Sequence, residues 1–303
     1  QLVSLADALA YSKNTITSQL VLKLGVQRVI ETARRMGIQS ELPPYPSIGL
    51  GTGEVSLLEL AGAYTTIADY GQYHEPVFVT RIENQQGGVL ASFGGKSRDA
   101  LSPVTAYNLL DMMRGVVKHG TGQRVRYMFG AEGDFAGKTG TTQNGADGWF
   151  MLLHPNLVMG AWVGFDVPAI TFRSDYWGQG GHNALHVVGR FYHTARRSAA
   201  DVLGPATFNP PAGYRPTPRD LTIAAGLARA DHGGENGEEQ RRCRGRRWSH
   251  LRPGHLWGMG VLLAAGGLLL GVPARSVPGA VLAGLYGLRG LPRPGGVTIP
   301  LMP

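Results

Sequence analysis

Three strand-length stretches between residues 135 and 165 most constrain the fold of this chain. They cover about 135–142, 147–153 and 157–165. The links between them are too short to hold a crossover helix, so consecutive strands should lie side by side and antiparallel. This part of the chain therefore predicts an antiparallel sheet.

Helical signals lie on both sides of these strands. Ser56 and Glu59 form a capping box that opens a helix, and Gly71 marks where that helix ends. Similar signals predict a long helix between Ser102 and Gly120 and a last helix over about 184–200, and a hairpin is predicted from strands at 77–82 and 89–93. We therefore expect an α+β fold, an antiparallel sheet flanked by helices.

The positive charge of the chain is confined to its C-terminal part. Residues 241–303 contain nine arginines and no acidic residue, and the whole chain has a net charge of +8, so residues 1–240 carry −1. This nearly neutral body gives no electrostatic case for nucleic-acid binding. Cys243 is the only cysteine, which excludes an intrachain disulfide. His182 and His186 have no accompanying carboxylate motif, so no metal site is expected.

The composition divides the chain into three parts. Residues 1–215 form the predicted folded domain, 216–250 a polar and then basic linker, and 251–303 a hydrophobic tail rich in Gly, Leu, Pro and Arg. The glycines and prolines interrupt any helical period in the tail, which favours out-of-frame translation of GC-rich DNA. The alternative is a genuine basic juxtamembrane segment followed by a membrane helix at 256–272.

The sequence Lys138-Thr139-Gly140-Thr141-Thr142 carries the first candidate site. Alternation along a strand places Lys138 and Gly140 on one face, with Thr139 and Thr141 on the other. We expect Gly140 to leave room for another backbone, so that this strand edge could pair with an extended peptide. The ammonium and hydroxyl groups could then hold the peptide's carboxylate. The competing interpretation of the tripeptide alone is a strand with a solvated lysine.

A second candidate is Ser12-Lys13-Asn14, which interrupts a helical pattern near the N-terminus. At such a break, Ser12 and Asn14 could face a cleft. The alternative for these two residues is simple helix capping, since Ser and Asn are preferred there.

These two motifs and several other segments resemble one family, the class A (bifunctional) penicillin-binding proteins, over about residues 1–200. The matching segments, in chain order, are 12–14, 49–64, 120–123, 136–142, 156–166 and 178–181. The resemblance implies the fold shared by serine β-lactamases and D,D-peptidases, here incomplete at its N-terminus. Asp147 and Trp149 also match, but a turn residue and a core aromatic are the simpler interpretation.

The resemblance implies a serine D,D-transpeptidase that cross-links peptidoglycan stem peptides ending in D-Ala-D-Ala, without a cofactor. Ser12 would carry a proton to the leaving amine, and Asn14 would bind the substrate amide or orient the catalytic lysine. Lys138 would supply positive charge and hold the hydroxyl network. The remaining implied substrate-binding positions are Thr139 and Thr141 for the carboxylate, the Thr141 N–H for half of the oxyanion hole, and Gly140 and Thr142 along the strand.

The chain departs from the family in one motif. No serine is followed three residues later by lysine, whereas the family's Ser-x-x-Lys carries the nucleophile. We expect the nucleophile, a membrane anchor and a glycosyltransferase domain to precede Gln1, placing the enzyme on the extracytoplasmic (periplasmic) face of the cell membrane. This chain alone should then be inactive. It should bind β-lactams covalently only when the segment with the nucleophile is also present. Its sheet should have exposed edges.

Two alternatives of other classes remain at this point. One is a serine β-lactamase or β-lactam sensor related to the same family. The other is a non-catalytic cell-wall binding module that only holds stem peptides.

Overall fold

The computed structural model of the protein describes residues 2–165, 167, 170–216, 222–224, 268–269 and 281–287. Most of the predicted linker (216–250) and tail (251–303) therefore lies outside the described residues. The helices are α1 Leu5–Ala10, α2 Asn14–Leu24, α3 Val26–Arg35, α4 Leu57–Ala68, α5 Pro103–Lys118, α6 Arg124–Phe129, α7 Ala184–Ser198 and α8 Ala200–Leu203. The strands are β1 Leu2–Ser4, β2 Gln72–His74, β3 Arg81–Glu83, β4 Val89–Ser92, β5 Ser97–Asp99, β6 Ala136–Thr141, β7 Gly148–His154, β8 Leu157–Val163, β9 Thr222–Ala224, β10 Leu268–Leu269 and β11 Val281–Gly287.

The central sheet confirms the predicted antiparallel arrangement of the three strands. Strands β6, β7 and β8 are consecutive antiparallel neighbours, with Lys138 opposite Met151 and Trp149 opposite Trp162. Strand β6 stands at one edge of this sheet, whose order is β10-β11-β8-β7-β6. Among the described strands, none therefore covers the edge that carries Lys138-Thr139-Gly140.

The other side of the sheet differs from expectation. The sequence predicts exposed sheet edges, but β11 pairs with β8 over seven residue pairs, and β10 pairs with β11. Residues 281–287 contain no proline and no charge, so this segment can supply the backbone partners that an open edge lacks. Within the described residues, no helix combines the length and the apolar character that crossing a membrane requires.

The sheet lies between two layers of helices because β7 is buried on both faces. Trp149, Met151 and Leu153 face one apolar cluster, which includes Leu57, Leu60 and Tyr64 of α4. Phe150 and Leu152 face a second cluster. That cluster also contains Leu185, Val188 and Tyr192 of α7. Alternating side chains on one strand thus anchor both helical layers.

The helix ends follow the sequence signals closely. Ser56 caps α4 and Glu59 completes the predicted capping box, while Ser102 caps α5 with Pro103 in its first turn. The predicted hairpin is present as β3 and β4, although 77–80 are not in strand conformation. Local hydrogen bonds and fixed proline geometry explain why these boundaries could be predicted.

Residues 208–214, which follow α8, are bound to α5 and to Asp134 by hydrogen bonds. The Arg114 guanidinium donates to both carboxylate oxygens of Asp134 at 2.6 Å, and Asp134 accepts from the Phe208 N–H at 2.9 Å. The Tyr107 hydroxyl donates to the Phe208 carbonyl, and the Tyr214 hydroxyl bonds α5 further along. Residues 208–214 are thus held against the helix that also packs under β6.

Candidate active site

Lys138 and Ser12 meet in the structure although 126 residues separate them in the chain. The Lys138 ammonium donates to Ser12 Oγ at 2.9 Å and to the Thr139 carbonyl oxygen at 2.7 Å. Lys138 is only 4% exposed, and this burial lowers the pKa of its ammonium to about 8. A lysine poised near neutrality and bonded to a hydroxyl can stabilise negative charge and take part in proton transfer.

Ser12 lies at the predicted break between α1 and α2. Its φ of 52° is in the left-handed region, which is uncommon for a residue other than glycine. Lys13 is the N-cap of α2 and the helix has no side-chain cap hydrogen bond, so simple capping is not what holds Ser12 or Asn14 in place. Asn14 is exposed in the first turn of α2. Lys138 donates its hydrogen bonds to Ser12 and Thr139 rather than to Asn14.

Thr121 is a site residue to which no role was assigned from the sequence. Its hydroxyl lies 2.6 Å from the Thr139 hydroxyl, and its N–H donates to the Ala10 carbonyl at 3.1 Å, beside the Ser12 break. Gly120 lies so close to that carbonyl that a Cβ would come within 2.2 Å of it. The signal in the sequence was the Gly-Thr-Gly run after α5, because only glycine permits this approach.

The two threonine hydroxyls of the strand are arranged differently. Thr139 is 7% exposed and shares its hydrogen bond with Thr121, whereas Thr141 is exposed and its Oγ1 accepts from the Gly180 N–H at 3.1 Å. An accepting hydroxyl still has its own proton to donate. Thr141 can therefore donate outward to an anion, and the Thr121–Thr139 pair retains one proton for the same purpose.

Gly140 is surrounded in a way that differs from the sequence expectation. The side on which a Cβ would stand faces Trp149, whose own Cβ would be 3.0 Å away. The backbone that lies close belongs to Gly180, where a Cβ would come within 2.2 Å of the Gly140 carbonyl oxygen. Gly180 is thus required by the packing of the 178–181 segment onto the strand, whereas a side chain at Gly140 would crowd Trp149.

Thr142 is used to close the turn after β6. It is 5% exposed, its hydroxyl accepts from the Asp147 N–H at 2.7 Å, and its own N–H donates to the Asp147 carbonyl at 3.1 Å. The Asp147 carboxylate accepts from Trp162 Nε1 at 2.6 Å. This geometry favours a structural role for Thr142 rather than direct contact with a peptide.

The site as described contains hydroxyl and ammonium groups and no clustered metal ligands. Within the described ranges, no group of three His, Cys, Asp or Glu side chains is placed to hold a metal ion. The converging polar groups are Ser12, Lys138, Thr121, Thr139 and Thr141. Such a set can bind a carboxylate and relay a proton between hydroxyls.

Comparison with known proteins gives one consistent family. Residues 1–151 match the family model for the penicillin binding protein transpeptidase domain. The chain is 38% identical over 165 residues to penicillin-binding protein 1A of Aquifex aeolicus (strain VF5), covering 54% of this chain and 22% of that protein. It is 33% identical over 182 residues to penicillin-binding protein 1A of Neisseria lactamica, covering 58% of this chain and 23% of that protein.

A solved structure shares the fold. The structure resembles the crystal structure of penicillin-binding protein 1A from Haemophilus influenzae with a TM-score of 0.61 and 20% sequence identity, covering 69% of this chain and 36% of that one. The chain spans less than a quarter of the length of the two relatives it matches in sequence. Through residues 1–151, the chain belongs to the family of penicillin-binding protein transpeptidase domains.

Proposed function

We propose that this chain supplies the lysine, hydroxyl and strand-edge part of a serine D,D-transpeptidase that cross-links peptidoglycan. Its substrates would be stem peptides ending in D-Ala-D-Ala. The observation that carries the proposal is the hydrogen bond between Ser12 and Lys138, which joins two motifs from distant parts of the chain. Residues 1–215 would form the transpeptidase unit, and the packing of 208–214 on α5 supports that boundary.

In the proposed reaction, a serine attacks the carbonyl of the penultimate D-Ala and the terminal D-Ala leaves. Lys138 would stabilise the negative charge of the site, and Ser12 would pass a proton to the departing amine. Thr139 and Thr141 would hold the terminal carboxylate, while Asn14 would bind the substrate amide. An amine from a second stem peptide would then resolve the acyl-enzyme.

The absence of Ser-x-x-Lys from residues 1–303 supports a narrower proposal for the chain by itself. It would bind the peptide without turning it over, as a non-catalytic binding module also would. The acyl-accepting serine, a membrane anchor and a glycosyltransferase domain would belong to the longer enzyme, which would act on the extracytoplasmic face of the membrane.

Peptide binding by this chain tests the proposed site. An N-acylated tripeptide ending in D-Ala-D-Ala is titrated into the isotope-labelled protein, with the L-Ala-L-Ala diastereomer as its control. Thr141→Val keeps the shape of the exposed threonine and removes its hydroxyl. A hydrogen bond to a charged group is worth about 1.5–3 kcal/mol, so this variant should bind at least about 10-fold more weakly. Equal binding of both diastereomers by the wild type would refute the proposal.

Covalent labelling tests the statement about turnover. After incubation with a β-lactam, the intact mass of this chain should be unchanged, because no serine stands in the nucleophile motif. A stable adduct mapped to Ser12 would show that the Ser12–Lys138 pair is itself a nucleophile. An adduct that forms and is released as hydrolysed drug would favour the β-lactamase alternative.

A further inference from the structure

The proposed mechanism leaves one buried carboxylate at the site unused. Asp147 is 3% exposed and ends the turn between β6 and β7. Among the residues that the structure describes, no cation lies within ion-pair distance of it. A buried carboxylate without a cation costs free energy, so its retention here calls for a reason.

The contacts of Asp147 join two strands. Its Oδ1 accepts a hydrogen bond from Trp162 Nε1 of β8 at 2.6 Å. Its main-chain N–H and carbonyl each form a hydrogen bond with Thr142 at the end of β6. A Cβ on Gly164 would come within 2.4 Å of the same oxygen, so the carboxylate fills the place of a side chain there. Asp147 is therefore fixed by β8 on one side and fixes the end of β6 on the other.

The same turn reaches the segment that holds Thr141. Gly145 in the turn has a φ of 64° and packs directly on the backbone of Gly178. Its carbonyl accepts from the Phe172 N–H at 3.2 Å. Two residues beyond Gly178, the Gly180 N–H donates to Thr141 Oγ1. A shift of the turn would therefore move the group that orients the Thr141 hydroxyl.

We propose that Asp147 is a positioning residue of the transpeptidase site. Its ionised carboxylate, held by Trp162, locks the 142–147 turn and thereby presents the Thr141 hydroxyl to the carboxylate of the stem peptide. This inference rests on the proposed function, because it assigns Asp147 to the same peptide site.

The protonation of Asp147 gives the inference a measurable signature. Burial raises the pKa of the Asp147 carboxyl to about 6, although hydrogen bonds from Trp162 and Thr142 act in the opposite direction. Above pH 6 the charged group makes the stronger hydrogen bond, and below it the neutral acid makes a weaker one. Peptide affinity should therefore fall as the pH is lowered through 6. Lys138 of β6 and His182 of the neighbouring segment are the other titratable groups to be separated from this effect.

The experiment measures the affinity of the D-Ala-D-Ala peptide for the full chain between pH 5 and 8. In parallel, the indole N–H resonance of Trp162 is followed, assigned with Trp162→Phe. Asp147→Asn keeps the shape and an acceptor but removes the charge and the titration. Gly164→Ala displaces the carboxylate without changing any polar group. The exposed Asp201→Asn and the nearby His182→Gln are the matched controls.

For the wild type, we expect affinity to drop about 5-fold from pH 7.5 to pH 5, with the Trp162 resonance titrating over the same range. Asp147→Asn and Gly164→Ala should bind about 5-fold more weakly at pH 7.5, and Asp147→Asn should have a flat profile. Both controls should retain the wild-type profile.

Two other results are distinguishable. A wild-type chain that binds the peptide at no pH would refute the proposed function. A wild-type chain that binds while Asp147→Asn matches it in affinity and pH profile would overturn the positioning role alone. Loss of the pH dependence in His182→Gln would also overturn it, because the titrating group would then be His182.

Discussion

At the scale of single residues, the burial of Lys138 at the candidate site lowers the stability of the fold. The ammonium is buried and keeps two hydrogen bonds, to Ser12 and to the Thr139 carbonyl. Removing a charged group from water is unfavourable even when it is hydrogen-bonded. A site that needs this lysine should therefore hold it at the expense of stability, as active sites often do.

Lys138→Met should make the protein more stable at neutral pH. Because the folded pKa is about 8 and the ordinary value is 10.5, the unfolded chain holds a proton between these values that the folded chain has lost. The free energy of unfolding of the wild type should then rise from pH 8 to pH 10.5 and be unaffected by this group below 8. We expect Lys138→Met to gain about 2 kcal/mol at pH 7, by relief of a penalty of about 1.4 kcal/mol for each pKa unit.

Urea unfolding at pH 7 and pH 10.5 checks this. The advantage of Lys138→Met should shrink at the higher pH, while Lys23→Met, at an exposed position of α2, should show no such change. An advantage that stays constant across this range would mean that the burial of Lys138 is not its cause.

At the scale of elements, Glu59 joins α4 to the chain that follows α3. Its carboxylate accepts from the Ser56 N–H, completing the capping box. It also accepts from the Gln39 and Ser40 N–H groups, both at 2.7 Å, and from the Ser40 hydroxyl at 2.6 Å. A single side chain thus begins one helix and fixes the loop that ends another. The capping box was visible in the sequence, but the long-range partners were not.

Glu59→Gln should destabilise the protein in a pH-dependent way. Burial raises the pKa of this carboxyl, but the hydrogen bonds from Ser40 and Ser56 outweigh it and lower the pKa to about 2. The stabilisation is therefore present above about pH 4.5 and is lost as the pH falls towards 2. Because the carboxylate is partly open to solvent, screening reduces the expected loss at pH 7 to about 1–2 kcal/mol.

Thermal unfolding of wild type and variant at pH 7 and pH 3 tests the effect of Glu59. The difference between the two proteins should be smaller at pH 3. Glu31→Gln, on the exposed side of α3, is the matched control. A difference of the same size at both values of pH would assign the loss to shape rather than to charge.

At the scale of the whole molecule, the C-terminal tail completes the sheet. Strand β11, which lies within the hydrophobic tail, supplies the backbone partners of β8 along its full length. Exposed sheet edges invite pairing with other chains, and an intramolecular strand prevents this.

A chain that ends at residue 216 should therefore self-associate. Truncation would remove β11 and leave the outer edge of β8 open over seven residues. Sedimentation velocity should show dimers or larger species for the truncated chain and monomers for the full chain. Adding Val163→Lys to the truncated chain, at the end of β8, should reduce the association because an edge lysine opposes strand pairing. A monomeric truncated chain at the same concentration would contradict the pairing of β11 with β8.

Features that depend on neighbouring residues could be predicted from the amino-acid sequence. The capping of α4 by Ser56 and Glu59, the start of α5 at Ser102 and the antiparallel order of β6, β7 and β8 all follow from hydrogen bonds and chain lengths over a few positions. The pairing of the Ser12 motif with the Lys138 motif also came from the sequence, but only through resemblance to a family.

The tertiary structure alone decided which groups meet across the chain. It brought Thr121 to Thr139, turned Thr142 inward to Asp147, and placed Gly180 rather than a free space beside Gly140. The Thr121–Thr139 and Gly180–Gly140 contacts join separate elements of the chain, and the Thr142–Asp147 contact closes a turn. No local periodicity encodes any of them. They depend on close packing of the 178–181 segment and α5 against β6. Backbones approach one another closely there because glycines have no side chain, and the partner of each glycine is known only once the chain is folded.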